Sequence, residues 1–249
     1  MNEKLELRKL LIYAISVYRI PQKIKGMTDK RKRKGIPFFN LIMPVFMALL
    51  LQYESFHTFF SAPESMGRRF GNFIRGRIPK VDAVRDALAL LEADEVGDLL
   101  DSIVEKTYRN AVFRSGTIGG YTAAAVDGVE LFSSTKKSCR KCLTRKNKAG
   151  QTEYFHRSVV CASIGHSPHV VLGQEMLTPR DGGEKDEGEL TGGKRLVRDL
   201  HRKFGHFADV IVADALYLNA PFLNTVLDCH MDAVIRLKDE EREKFAKGN

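Results

Sequence analysis

Two aspartates stand where the surrounding sequence calls for burial. Asp127 follows the run AAAV and Asp214 follows VIVA, eighty-seven residues further on. A carboxylate in an apolar setting is costly unless a cation, a metal or hydrogen bonds offset it. If the two runs are strands lying side by side, both carboxylates meet at one spot. Hard oxygen ligands gathered that way suit Mg²⁺ or Mn²⁺. Two such ions ~3.5–4 Å apart can activate a water or a 3′-hydroxyl and steady the departing oxygen of a phosphodiester. A strand-terminal Asp also serves as a turn former or helix cap, and Ala215–Asn219 after Asp214 could form a turn that uses it.

Other groups carry weaker signals. Cys139 and Cys142 form a CxxC that His156, His166 or Cys161 could complete as a zinc site, although no second pair follows at finger spacing. The competing reading is unliganded thiols in a basic loop. Cys161 within VVCASI, and Cys229, read as packing residues. Glu187 and Glu189 in DEGEL either approach the paired aspartates or begin a helix, where acids favour the positive end of the dipole.

The elements that position these residues change character along the chain. Leu5, Leu7, Leu10, Leu11, Ala14 and Val17 give an amphipathic first helix that Pro21 should end. Pro37 opens a second, through the 11-residue apolar run LIMPVFMALLL, and two more follow Pro79, divided between residues 92 and 97. After Gly119-Gly120 the pattern becomes β β β α β α β. The strands are expected at 121–132, 153–165, 169–177, 209–214 and 231–238, with helices at 194–204 and 219–230 and a turn-rich insert up to Gly150. These patterns divide the chain into a helical, basic domain at 1–115 and an α/β domain at 116–249.

The chain has 249 residues and a formal net charge of +9, which favours a polyanionic partner over an acidic small molecule. Seven Lys/Arg stand in residues 22–37, five in 66–80 and seven in 136–148. Lys30, Arg31, Lys32, Arg33 and Lys34 could neutralise phosphates, as could Arg68, Arg69, Arg75 and Arg77, which interleave with Phe70 and Phe73. A solvated surface is the competing reading for any one of them. Four cysteines are too few for a disulfide-stapled secreted domain, the N-terminus lacks a signal-peptide pattern, and the apolar run falls short of a span of ~20 residues. A cytoplasmic, nucleoid-associated protein with no membrane contact is expected.

The stretches AVDGVELFSS, EGELTGGKRLVRDLHRKFG, VIVADALYLNAPFLNTV and DAVIRLKD resemble the DDE transposases of bacterial insertion sequences, more narrowly the IS-four-like group. The resemblance covers roughly residues 115–240, and RIPKVDAVRDALALL is similar to the helical region ahead of the catalytic domain in such proteins. It implies an RNase H-like (retroviral integrase-like) mixed sheet preceded by an all-α domain. It further implies two Mg²⁺ or Mn²⁺ ions and cleavage and strand transfer at transposon ends, with DNA ends and target as partners and a possible homodimer on DNA. Asp127 matches the first acid of that family and Asp214 the second. The family's third acid lies on a later helix, whereas 35 residues follow Asp214 here and Glu240, Glu241 and Glu243 fall in the tail. The sequence is therefore expected to lack the final helix, as a truncated or split protein would. Two other functions fit the same residues: an inactive fragment that occupies transposon ends, and a structure-selective nuclease of the same fold.

Overall fold

In the computed structural model, residues 9, 12–60, 76, 79–165, 169–179 and 186–237 are described. The chain divides into two compact units, Met1–Ser102 and Ile103–Asn249. The division falls inside a helix, thirteen residues ahead of the expected boundary after residue 115.

Among the described residues, the first unit is helical. Its elements are a π-helical turn Tyr13–Val17, α1 (Ile20–Gly26), α2 (Phe38–Leu50), α3 (Phe56–Phe60), α4 (Val81–Leu88) and the start of α5 (Ala93–Arg109). Pro21 opens α1 instead of closing the helix before it, because the first helical turn needs no proline N–H. Leu5, Leu7, Leu10 and Leu11 lie outside the described residues. The apolar run forms α2, with Leu41, Met43 and Ala48 almost fully buried and Pro44 inside the helix. No helix among the described residues is long and apolar enough to cross a membrane. Gly97 sits within α5, so the break between the last two helices comes earlier, at residues 89–92.

The second unit is mixed α/β. Its elements run β1 (Ala123–Ser134), β2 (Leu143–Lys146), β3 (Thr152–Ile164), β4 (Val170–Met176), α6 (Glu189–Phe204), β5 (Val210–Asp214), α7 (Ala220–Asp228) and β6 (Asp232–Arg236). The strand order is β2-β3-β1-β5-β6, with β4 also paired to β3. β3 runs antiparallel to β1, β2 and β4, while β5 runs parallel to β1 and β6 to β5. This mixed sheet is compatible with an RNase H-like fold. The insert before Gly150 contains a strand that charge-rich sequence concealed. Leu143, 1% exposed, pairs with Phe155 and anchors β2. α6 begins at Glu189, five residues earlier than the apolar pattern suggests.

α6 packs on one sheet face and touches α7. A Cβ on Gly192 would stand 2.4 Å from the Leu177 side chain and 3.2 Å from that of Val159, so only glycine lets the helix come this close. Leu196 and Leu200 meet Gly173 of β4, and Leu196, Leu200, Ile211, Phe222 and Val226 are almost fully buried. The register of β1 on β5 is pinned at its start. Asp209 Oδ2 accepts from the Thr122 backbone N–H at 2.6 Å and from Thr122 Oγ1 at 2.7 Å. The Thr122 carbonyl accepts from the N–H groups of Asp209 and Val210 at 2.9 and 3.1 Å. His206 Nε2 lies 2.8 Å from Asp209 Oδ1.

The Thr122 hydroxyl first, then His206, hold the Asp209 carboxyl down from 3.8 to about 2. A carboxyl lowered on folding stabilises above its unfolded value and loses that contribution as pH falls through its folded value. The clamp is therefore fully effective above pH 3.8 and fades toward pH 2. Asp209→Ala should cost about 1 kcal/mol at neutral pH, discounted for solvent screening of a side chain 35% exposed. Urea melts of both proteins should converge as the pH approaches 2; an equal gap across that window would contradict the clamp.

Candidate active site

The clamp sets where the two aspartates fall. Thr122 faces Asp209, and Ala123–Val126 pair in parallel with Val210–Ala213, every pair eighty-seven residues apart. Asp127 and Asp214 are the next residue of each strand at the same spacing. Val126 and Ala213 are buried, and strand alternation turns the following residue of each out of the core. One oxygen of each aspartate is committed locally. Asp127 Oδ1 accepts from the Gly128 N–H at 2.8 Å, and Asp214 Oδ1 from the Leu216 N–H at 3.0 Å. Asp214 thus caps the short 3₁₀ turn Ala215–Tyr217 as well as ending β5.

A third carboxylate approaches from α6. A Cβ on Gly128 would stand 2.2 Å from the Glu189 carboxylate, so glycine after Asp127 leaves the space that this carboxylate occupies. Glu189 is the first residue of its helix, one of the two readings its sequence position offers, and its carboxylate lies against Gly128 of β1. Arg157 holds it, with Nη1 donating to Glu189 Oε1 at 2.8 Å and Nη2 to Glu130 Oε2 at 3.2 Å. The guanidinium of Arg145, ahead of that of Arg157, keeps the Glu130 carboxyl below its ordinary range. Glu187 turns elsewhere, to Arg195 and Thr178.

Tyr217 is fully buried, its ring against Gly193 and 4.8 Å from that of Phe222, and its hydroxyl has no hydrogen-bond partner among the described residues. Burial first, then the charges of Glu189, Asp127 and Asp214, push this phenol well above its usual value. One buried hydroxyl therefore feels all three carboxylates. Their oxygens do not all come within 4.8 Å of one another. The donor set fits hard divalent cations: solvent-exposed carboxylate oxygens, Asp127 within β1 and Asp214 at the end of β5, each aspartate with one oxygen beyond its local bond. Sequence reasoning passed over Tyr217 and Arg157. The signal for Tyr217 lay in ADALY, where an aromatic follows the second acid by three residues.

The other candidate residues are spread out. Lys30 pairs with Glu92. Arg31 binds Asp29 through Nε and Nη2, each at 2.8 Å, and the Ile36 carbonyl at 2.7 Å. Lys32, Arg33 and Lys34 are exposed. Arg68, Arg69, Arg75 and Arg77 lie outside the described residues, as do His166, Glu240, Glu241 and Glu243. Cys161 is buried on β3, its thiol pushed up to about 12 by burial, and Cys229 is buried too. Cys139, Cys142 and His156 come together, with ligand atoms all within 4.8 Å.

Neither a family model nor a curated protein matches the chain. Among solved structures it is similar to a piggyBac transposase in a cryo-EM synaptic complex with hairpin DNA, at 18% identity and a TM-score of 0.41. The match covers 96% of this chain and 53% of that one, so the chain spans about half the length of that transposase. The likeness is distant.

Gly128→Ala should destabilise the protein by up to about 1 kcal/mol, because the Glu189 carboxylate is the far end of a flexible side chain that can swing aside. Glu189→Ala in the same chain should recover most of that loss, because the two side chains compete for one space. Additive losses in urea denaturation would contradict the contact.

Proposed function

We propose that this chain is a DDE-type DNA transposase, and that residues 103–249 form its RNase H-like catalytic domain. The supporting observation is the shared spacing of eighty-seven residues from the Thr122–Asp209 clamp to Asp127 and Asp214. Asp127 and Asp214 would hold two Mg²⁺ or Mn²⁺ ions, while Arg157 fixes Glu189 against Gly128 of the same strand. Bound there, the ions would supply charge stabilisation and an activated oxygen nucleophile for in-line displacement at phosphorus. The aspartates orient that nucleophile against the scissile bond. Gly128 and the 3₁₀ turn after Asp214 keep the two carboxylates from rotating away. Buried Tyr217 and Phe222 support the β5 end from beneath, which limits the positional error a phosphoryl transfer tolerates. Exposed Lys32, Arg33 and Lys34 suit phosphate contacts that hold DNA without reading its sequence.

Hydrolysis by water frees a 3′-hydroxyl at the transposon end, and that hydroxyl then attacks target DNA. Nicking of supercoiled plasmid in Mg²⁺ or Mn²⁺ tests the first step. Asp127→Asn and Asp214→Asn should each slow nicking by ~10²–10³-fold or more, the scale of losing transition-state charge stabilisation. Affinity for a fluorescent duplex should stay within about threefold, because the phosphate contacts lie elsewhere. Undiminished nicking by either variant, or none by the unaltered chain, would overturn the assignment. Transfer of pre-cut ends into plasmid separates a transposase from a nuclease.

A further inference from the structure

We propose that Cys139, Cys142 and His156 bind a zinc ion that fastens the basic insert to the edge of the sheet. The β2–β3 register creates the site. Leu143 lies opposite Phe155, so the residues just beyond them, Cys142 and His156, face each other across the hairpin. A tight turn, with the Cys142 N–H donating to the Cys139 carbonyl at 3.2 Å, then folds Cys139 over the same point.

The spacings are those of three corners of a zinc tetrahedron. Zn–S bonds of ~2.3 Å and Zn–N bonds of ~2.05 Å place two sulfurs about 3.8 Å apart and sulfur and nitrogen about 3.6 Å apart. Here the sulfurs are 3.6 Å apart, and His156 Nε2 lies 3.3 Å from Cys139 Sγ and 3.4 Å from Cys142 Sγ. A neutral imidazole nitrogen offers one proton or one lone pair, so it serves two thiols poorly, whereas one metal between them satisfies all three. Backbone N–H groups also aim at the sulfurs, from Cys139 to Cys142 Sγ at 3.1 Å and from Lys141 to Cys139 Sγ at 3.4 Å. Two thiolates and an imidazole form a borderline-soft set that selects zinc over the hard cations suited to Asp127 and Asp214. Among the described residues no fourth such side chain joins the group, which leaves the fourth corner of a tetrahedron to a solvent ligand of the bound zinc.

The site would order a cationic loop. Lys136, Lys137, Arg140 and Lys141 are exposed around the two cysteines, and Lys146 and Lys148 follow on β2 and its turn. Their mutual repulsion opposes a compact loop, and metal binding offsets it.

The test is metal analysis of the full chain, expressed with zinc and purified under reducing conditions. About one zinc per chain should remain after gel filtration, falling to near none in Cys142→Ser and His156→Ala. Exchange for Co²⁺ in the unaltered protein should give a thiolate-to-cobalt charge-transfer band and the visible bands of a tetrahedral site, a readout independent of whether the variants fold. Chelation should expose two further thiols to a thiol reagent. An unaltered protein without retained zinc or cobalt bands overturns the proposal, as do variants that keep full zinc. So does a Cys139–Cys142 disulfide forming readily in the metal-loaded protein. None of these readouts depends on DNA cleavage.

Discussion

The parallel pairing of β1 with β5 is the constraint on which the second unit depends. Two segments far apart in sequence must align at a single offset, and a one-residue slip would send every paired side chain to the opposite face. The Thr122–Asp209 clamp supplies that offset at the start of the strands, where backbone and side chain of both residues bond reciprocally. From there the buried Ala124, Val126, Ile211 and Ala213 carry the register to Asp127 and Asp214. The acids are exposed because they end the apolar runs, and they are neighbours because the runs are in step.

The same register explains the small residues around the site. α6 lies close on the sheet at Gly192 and Gly193, and that approach brings Glu189 over β1. Gly128 is the price of having a carboxylate there. Arg157, held between Glu130 and Glu189, keeps mutual repulsion of the acids in check on one side of the sheet. The chain's net charge is +9, and exposed cations stand at Lys32–Lys34 and around Cys139 and Cys142.

Much of this was legible in the sequence. AAAVD and VIVAD announce buried apolar strand segments ending in acids, and the intervening helical pattern implies a crossover between parallel neighbours. β2 was hidden because only Leu143 in it is buried, its neighbours being charged residues that pair across the hairpin, as Arg145 does with Glu153. The start of α6 was hidden because glycines and a glutamate carry no apolar period; what fixes them is contact with Val159 and Gly128, remote in sequence. Arg31 read as a phosphate ligand in a run of cations, yet Asp29 two residues away claims it. A CxxC alone says little. The hairpin register that brings His156 to it depends on a strand that composition masks.

The most direct measurement is anomalous scattering from crystals of the protein soaked in Mn²⁺. The account predicts a peak about 2.1 Å from carboxylate oxygens of both Asp127 and Asp214, the distance of a hard octahedral cation. A map with manganese bound elsewhere, or at one aspartate without the other, would contradict it.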